Sequence, residues 1–234
     1  MGVAHAWVRP YGERTQVTPP TDKAALRDAA TTVLLRDGPT GPRVLMGQRG
    51  AGAAFMPSKF VFPGGAVDAG DGTVTLARAL PQADRAALAR RSTLPPETIA
   101  AAALRELAEE TGQILARPSP TPAPWPGFDG LAPDAGPLRF IFRAITPPGR
   151  PRRFDARFFL ASADALRGDP DDFTAAEDEL SHLHWVPLAE ARALDMPFIT
   201  EIVLAEISAI AEGRDAPGVP FFDNSGATSA FLRL

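Results

Sequence analysis

Cysteine is absent from the 234-residue chain. That excludes disulfides, thiol nucleophiles and thiolate metal ligands, and it fits a reducing compartment. Lysine is almost absent: Lys23 and Lys59 stand alone, and arginine supplies the remaining positive charge. We read that bias as genome composition. No run of about 18 apolar residues occurs, so no membrane span is expected. The N-terminal MGVAHAWVRPYGER lacks the apolar stretch of a signal peptide, and a cytoplasmic location is the expectation. Neither a Gly-x-x-x-x-Gly-Lys-Ser/Thr loop nor a Gly-x-Gly-x-x-Gly segment is present, which removes support for kinase-like ATPases and dinucleotide oxidoreductases. The net charge of -4 argues against a nucleic-acid partner.

What remains is ordinary globular material, 45% hydrophobic and 22% charged. The length suits one domain with insertions. Residues 1–27 are polar and proline-bearing and read as an N-terminal arm or cover. Residues 28–234 read as a single domain, with insertions at about 72–97 and 117–137. Strands are expected at 30–38, 42–50, 138–146, 152–162 and 180–188, where β-branched and aromatic residues recur between turn signals. The segment KFVFPGGAVDAGDG (59–72) starts as a strand and becomes a glycine loop. A long helix is expected from about Glu97 to Gly112, a short one at AEARAL, and an amphipathic one over 198–213. The proline-dense stretch 117–137 reads as loop. This order implies an α/β fold with helices packed on a mixed sheet.

The chemistry is carried by AALRELAEETG (102–112). Glu106, Glu109 and Glu110 fall within an arc of roughly 100° on one helix. Like charges so placed destabilise a helix by a few tenths of a kcal/mol per pair. A dication reverses that sign, and hard oxygen ligands suit Mg²⁺ or Mn²⁺. The competing reading is a solvated acidic face. The preceding FPGGAVDAGD favours the site, because glycine lets a backbone carbonyl turn toward an ion.

These residues resemble the signature of the Nudix hydrolases: Gly, five residues, Glu, seven residues, then Arg-Glu-apolar-x-Glu-Glu-x-Gly-apolar. Gly65 opens it, Asp71 stands where Glu is expected, and Arg105 to Gln113 form the second half, with Gln113 in the final apolar place. The seven-residue spacer is replaced by residues 72–104, an insertion of 26 residues. HWVPLAEA (184–191) is similar to the family's late strand and helix. The insertion, VFPGG before it and ITPPGRPRRFDARFFLA (145–161) after it resemble a branch that includes peroxisomal acyl-CoA diphosphatases. The resemblance implies a Nudix-type α/β/α sandwich with a mixed central sheet. It implies hydrolysis of a nucleoside diphosphate linked to another group, with CoA or acyl-CoA favoured; ADP-ribose, NADH and dinucleotides stay open, as does a non-catalytic binding module.

By the same resemblance Glu106, Glu109 and Glu110 ligate Mg²⁺ or Mn²⁺ together with the Gly65 carbonyl, Arg105 orients Glu106, and Asp71 is a helper in the loop. Of Glu177, Asp178 and Glu179, Glu179 is favoured as a further ligand or general base, against the reading of a soluble turn. Arg152, Arg153 and Arg157 are candidates for substrate phosphates, with Arg153 and Arg157 on one strand face and Arg152 on the other. Phe62, with Phe55 and Phe60, is placed to line the site. Trp185 and Phe158 read as core. His182 and His184 share a strand face, but no third histidine lies near, so zinc is not expected. Residues 75–93 read as either a helical hairpin over the site or a dimer surface; a homodimer is left open.

Overall fold

The computed structural model describes residues 25–50, 52, 56–214, 216–226 and 228–234. The expected N-terminal arm lies outside them up to residue 24, and so does Phe55. The first strand begins at Leu26, two residues before the expected domain boundary.

The strands are β1 (Leu26–Arg36), β2 (Arg43–Arg49), β3 (Phe60–Val61), β4 (Gly64–Ala66), β5 (Ala116–Pro118), β6 (Leu131–Pro133), β7 (Arg139–Ile145), β8 (Arg153–Ser162), β9 (Leu180–Pro187), β10 (Pro220–Asp223) and β11 (Ala230–Arg233). The helices are α1 (Gln82–Ala89), α2 (Pro96–Thr111) and α3 (Phe198–Ala211). Along the main sheet the order is β11-β10-β7-β8-β1-β2-β3, with β4 joined to β1 and β9 joined to β2. The sheet is mixed: β1 runs parallel to β8 and antiparallel to β2 and β4. The AEARAL segment forms only a 3-10 turn, Ala191–Ala193.

Strand β1 organises the molecule because its alternate residues enter opposite cores. Ala30 and Leu34 pack with Ile99, Ala103 and Leu107 of α2. Val33 packs with Val203, Leu204 and Ile207 of α3. The result is the expected α/β/α sandwich. Helix α2 starts at Pro96, where a missing N–H costs nothing, and closes on Gly112 at φ 72°. Its buried Ala100 to Ala103 let it approach the sheet closely, and Thr32 Oγ1 donates to the Ala103 carbonyl at 3.0 Å.

The stretch expected as an insertion packs on the α2 side of the sheet. Helix α1 buries Leu88 in the α2-side core. Arg143 fixes its end, donating to the carbonyls of Arg90 at 3.0 Å and Arg91 at 2.9 Å while gripping Asp155. The 117–137 stretch is not all loop. Strands β5 and β6 pair across it, and Asp134 accepts from Arg78 and Arg117 there. The β10–β11 hairpin, which seats Phe221 in the core, was not anticipated. Among the described residues no helix is long and apolar enough to cross a membrane.

Candidate active site

The site begins with two glycines at a sheet edge. Gly64 and Gly65 pair with Thr31 and Ala30 of β1. A Cβ at residue 64 would lie 2.5 Å from Thr31 Oγ1, and one at residue 65 would lie 2.5 Å from Glu106 Oε2. Only glycine lets this backbone press against the carboxylate.

Arg105 is the hub beneath them. Its Nε donates to Asp71 Oδ1 at 2.8 Å and its Nη2 to Asp71 Oδ2 at 3.1 Å and to the Ala66 carbonyl at 3.0 Å. Nη1 donates to Glu106 Oε1 at 2.9 Å and to Glu109 Oε2 at 2.8 Å. Burial works against the guanidinium charge, but Asp71, Glu106 and Glu109 outweigh it and raise the pKa. Asp71 is buried and also accepts from the Asp68 amide, which holds the loop's 3-10 turn, Ala69–Thr73.

The glutamates divide their tasks. Glu106 forms part of the cleft wall. Burial pushes its pKa up to about 7, against the pull of Arg105 and with Glu109 and Glu179 adding repulsion. Glu110 lies deeper, its Oε2 accepting from the Gly64 amide at 2.7 Å. Burial pushes it to about 8, with the Gly64 amide opposing and Glu106 and Glu179 adding to the rise. Among the described residues its Oε1 is buried without a hydrogen-bond partner. Of the two glutamates that Arg105 holds, Glu109 is the more exposed.

Among the described residues no group of three or more His, Asp or Glu side chains converges as a finished cation site. Arg105 holds Glu106 and Glu109 toward itself, and Glu110 is turned to Gly64. The residues nonetheless fit a hard dication. An orphaned buried carboxylate oxygen, a second carboxylate whose pKa is raised by burial, and a glycine backbone pressed on that carboxylate form an oxygen-rich corner.

This corner opens into a cleft of about 330 Å³. Gly65, Glu106 and Glu179 stand in its wall with Phe62, Phe158 and Arg152. Glu179 pairs with Arg49 at 2.5 Å across 130 residues of sequence. Sequence reasoning missed Arg49 and Arg27, which also line the cleft. Arg49 ends β2 beside the glycine loop, and its position at the close of an apolar strand was the available signal.

Several candidates fall elsewhere. Arg153 does not line the cleft: alternation turns it away, and its Nε donates to the Thr146 carbonyl at 3.1 Å. Arg157 is buried on the α2 side with Asp28 and Asp155, so it is part of the structure's ionic core. Phe60 meets His184 edge-on outside the cleft. Phe158 is buried, as expected of core, yet it also faces the cleft. Trp185 is core, and His182 and His184 are exposed. The Glu177 amide donates to the Glu109 carbonyl at 2.8 Å, tying the acidic loop to the end of α2.

The sequence profile of the NUDIX domain matches residues 94–206. The crystal structure of a NUDIX hydrolase from Alicyclobacillus acidocaldarius is 31% identical over 82% of this chain and 94% of that one, with a TM-score of 0.61. A C. elegans Ap4A hydrolase in a binary complex is 16% identical over 80% of this chain and 99% of that one, at a TM-score of 0.48. The NUDIX domain of Shewanella oneidensis NrtR, complexed with ADP ribose, is 16% identical over 83% of this chain and 94% of that one, at 0.45.

Proposed function

Since the chain belongs to the Nudix hydrolase family, whose members act on pyrophosphate bonds, we propose that it cleaves a nucleoside diphosphate linked to another group, with CoA or acyl-CoA the leading substrate. The observation that carries this reading is the corner itself: Glu106 and Glu110 share one buried edge beside Gly65, and one of their oxygens has no partner.

In this reading Glu106, Glu109, Glu110 and the Gly65 carbonyl hold Mg²⁺ or Mn²⁺. The cation supplies charge neutralisation at the phosphoryl oxygens and makes water more acidic. Arg105 keeps Glu106 and Glu109 from swinging into solvent, and Asp71 keeps Arg105 in place. Glu179, near Glu106 and paired with Arg49, serves as a further ligand or accepts the proton of the attacking water. Arg152 binds phosphate oxygens, and Phe62 supplies an apolar wall.

The preference for CoA draws on the resemblance of 145–161 to the acyl-CoA diphosphatase branch. That segment contributes Thr146, Arg152, Phe154 and Phe158 to the cleft wall, which supports the preference. The test is a product assay on CoA, acyl-CoA, ADP-ribose, NADH and diadenosine polyphosphates, with Mg²⁺ or Mn²⁺ and a chelator control. Release of 3′,5′-ADP and 4′-phosphopantetheine from CoA supports the reading. Turnover of ADP-ribose alone overturns the CoA preference, and tight nucleotide binding without turnover makes the protein a binding module.

A further inference from the structure

Most arginines at the cleft and on the strands around it have partners. Arg49 holds Glu179, Arg105 holds Asp71, Arg153 donates to Thr146, and Arg157 holds Asp28 and Asp155. Arg27 and Arg152 differ. Both line the cleft, and among the described residues neither guanidinium donates a hydrogen bond or joins an ion pair.

Their positions bring them together. In the parallel β1–β8 ladder Arg27 is paired in register with Phe154, and Arg152 immediately precedes the strand. Alternation puts residues 27, 29 and 31 of β1 on the cleft face, with 152, 154, 156 and 158 beside them. Two uncompensated cations therefore share one end of the cleft. The lining carboxylates, Glu106 and Glu179, stand at the other end with Gly65 and Arg49.

The spacing separates this pair from the glycine corner. Ala29 is in register with Ala66 and Ala30 with Gly65. Arg27 lies three residues along the strand from Ala30, about 10 Å at the usual rise. An anion on these arginines is thus not the pyrophosphate held at Gly65 but a neighbour of it. Adjacent unpaired guanidinium groups repel each other, and a phosphate that takes a fork from each removes the repulsion.

We propose that Arg27 and Arg152 form a second anion subsite, which binds a phosphate group of the substrate lying outside the scissile pyrophosphate. The subsite rests on the diphosphatase reading of the same cleft. It makes the enzyme selective for substrates with an additional phosphate, carried either on a ribose or further along a polyphosphate chain.

Matched substrate pairs test it. NADPH against NADH and CoA against dephospho-CoA probe a ribose phosphate; diadenosine triphosphate against diadenosine diphosphate probes the chain. In at least one set the member with the extra phosphate should have a kcat/KM about tenfold higher or more, the scale of one charge-assisted contact. Arg27→Gln and Arg152→Gln should each bring that ratio toward one, with the loss falling mainly on the extra-phosphate member. A ratio near one for every pair in the wild type overturns the subsite, as does a preference that survives both substitutions. If nothing is hydrolysed, the diphosphatase reading fails separately, and equilibrium binding of 3′,5′-ADP against 5′-AMP to the full chain decides. Tighter 3′,5′-ADP binding that both variants abolish keeps the subsite; equal binding of the two nucleotides removes it.

Discussion

Arg105 grips Asp71 with two nitrogens, Nε 2.8 Å from Oδ1 and Nη2 3.1 Å from Oδ2, across 34 residues of sequence. This contact ties the glycine loop directly to helix α2 across the long stretch of chain between them. The chain leaves the glycine loop after Asp71, builds α1 on the α2 side of the sheet, and returns through Pro95 and Pro96 into α2. The fork fixes loop to helix whatever lies between. The shorter Asp meets Arg105 without the extra methylene of Glu.

Asp71→Ala removes both acceptors and leaves the buried Arg105 Nε unpaired, while Nη2 keeps the Ala66 carbonyl. A loss of about 3 kcal/mol is expected, the low end for breaking a buried pair, because Glu106 and Glu109 remain. Turnover should fall at least ~10-fold as those glutamates lose a fixed donor. Thermal or denaturant unfolding measures the first effect and steady-state kinetics the second.

Gly65→Ala inserts a Cβ 2.5 Å from Glu106 Oε2. The carboxylate has to move away from the corner. Turnover is expected to drop ~10²-fold. Full activity in this variant would show that the contact between loop and carboxylate is unimportant.

Glu106→Gln and Glu109→Gln keep the side-chain shape and remove one charge each. Each is expected to lower turnover by at least ~10²-fold. Unchanged rates in both would rule out the mechanism.

Much of this site was legible in the sequence, and the reasons for the rest are physical. Helix α2 ended at Gly112 as expected, because a positive φ after an apolar periodic run is a local property. The ties from Arg105 to Glu106 and Glu109 follow from helical spacing. Strand alternation correctly split Arg152 from Arg153 and Arg157. It could not say which face meets the cleft, since that depends on where α2 and α3 pack. Arg157 is buried where Asp28, 129 residues away, joins Asp155 to meet it. Arg27 and Arg49 reach the cleft through the registers of β1 and β2, which no local pattern encodes. The β5–β6 pair formed inside a proline-dense stretch because Asp134 gathers Arg78 and Arg117 there.

The pH dependence of stability should be inverted from the usual carboxylate case. Without metal, Glu106 and Glu110 titrate near 7 and near 8, against 4.5 when unperturbed. Between those limits the native state binds protons that the unfolded chain has released, so stability falls as pH rises. In a chelator the Tm should decline from about pH 5 to about pH 8.5. Added Mg²⁺ should raise Tm more at the upper pH, where the carboxylates are free of protons. Glu110→Gln should flatten the decline. A flat wild-type profile would contradict the assigned burial effects.

The claim beneath all of this is that the acidic corner exists to hold a dication against a pyrophosphate. A crystal soaked in Mn²⁺ and measured for anomalous scattering tests it most directly. The account predicts a peak between Glu106, Glu110 and the Gly65 carbonyl. Well-ordered carboxylates with no peak there, at a Mn²⁺ concentration that supports turnover, would contradict it.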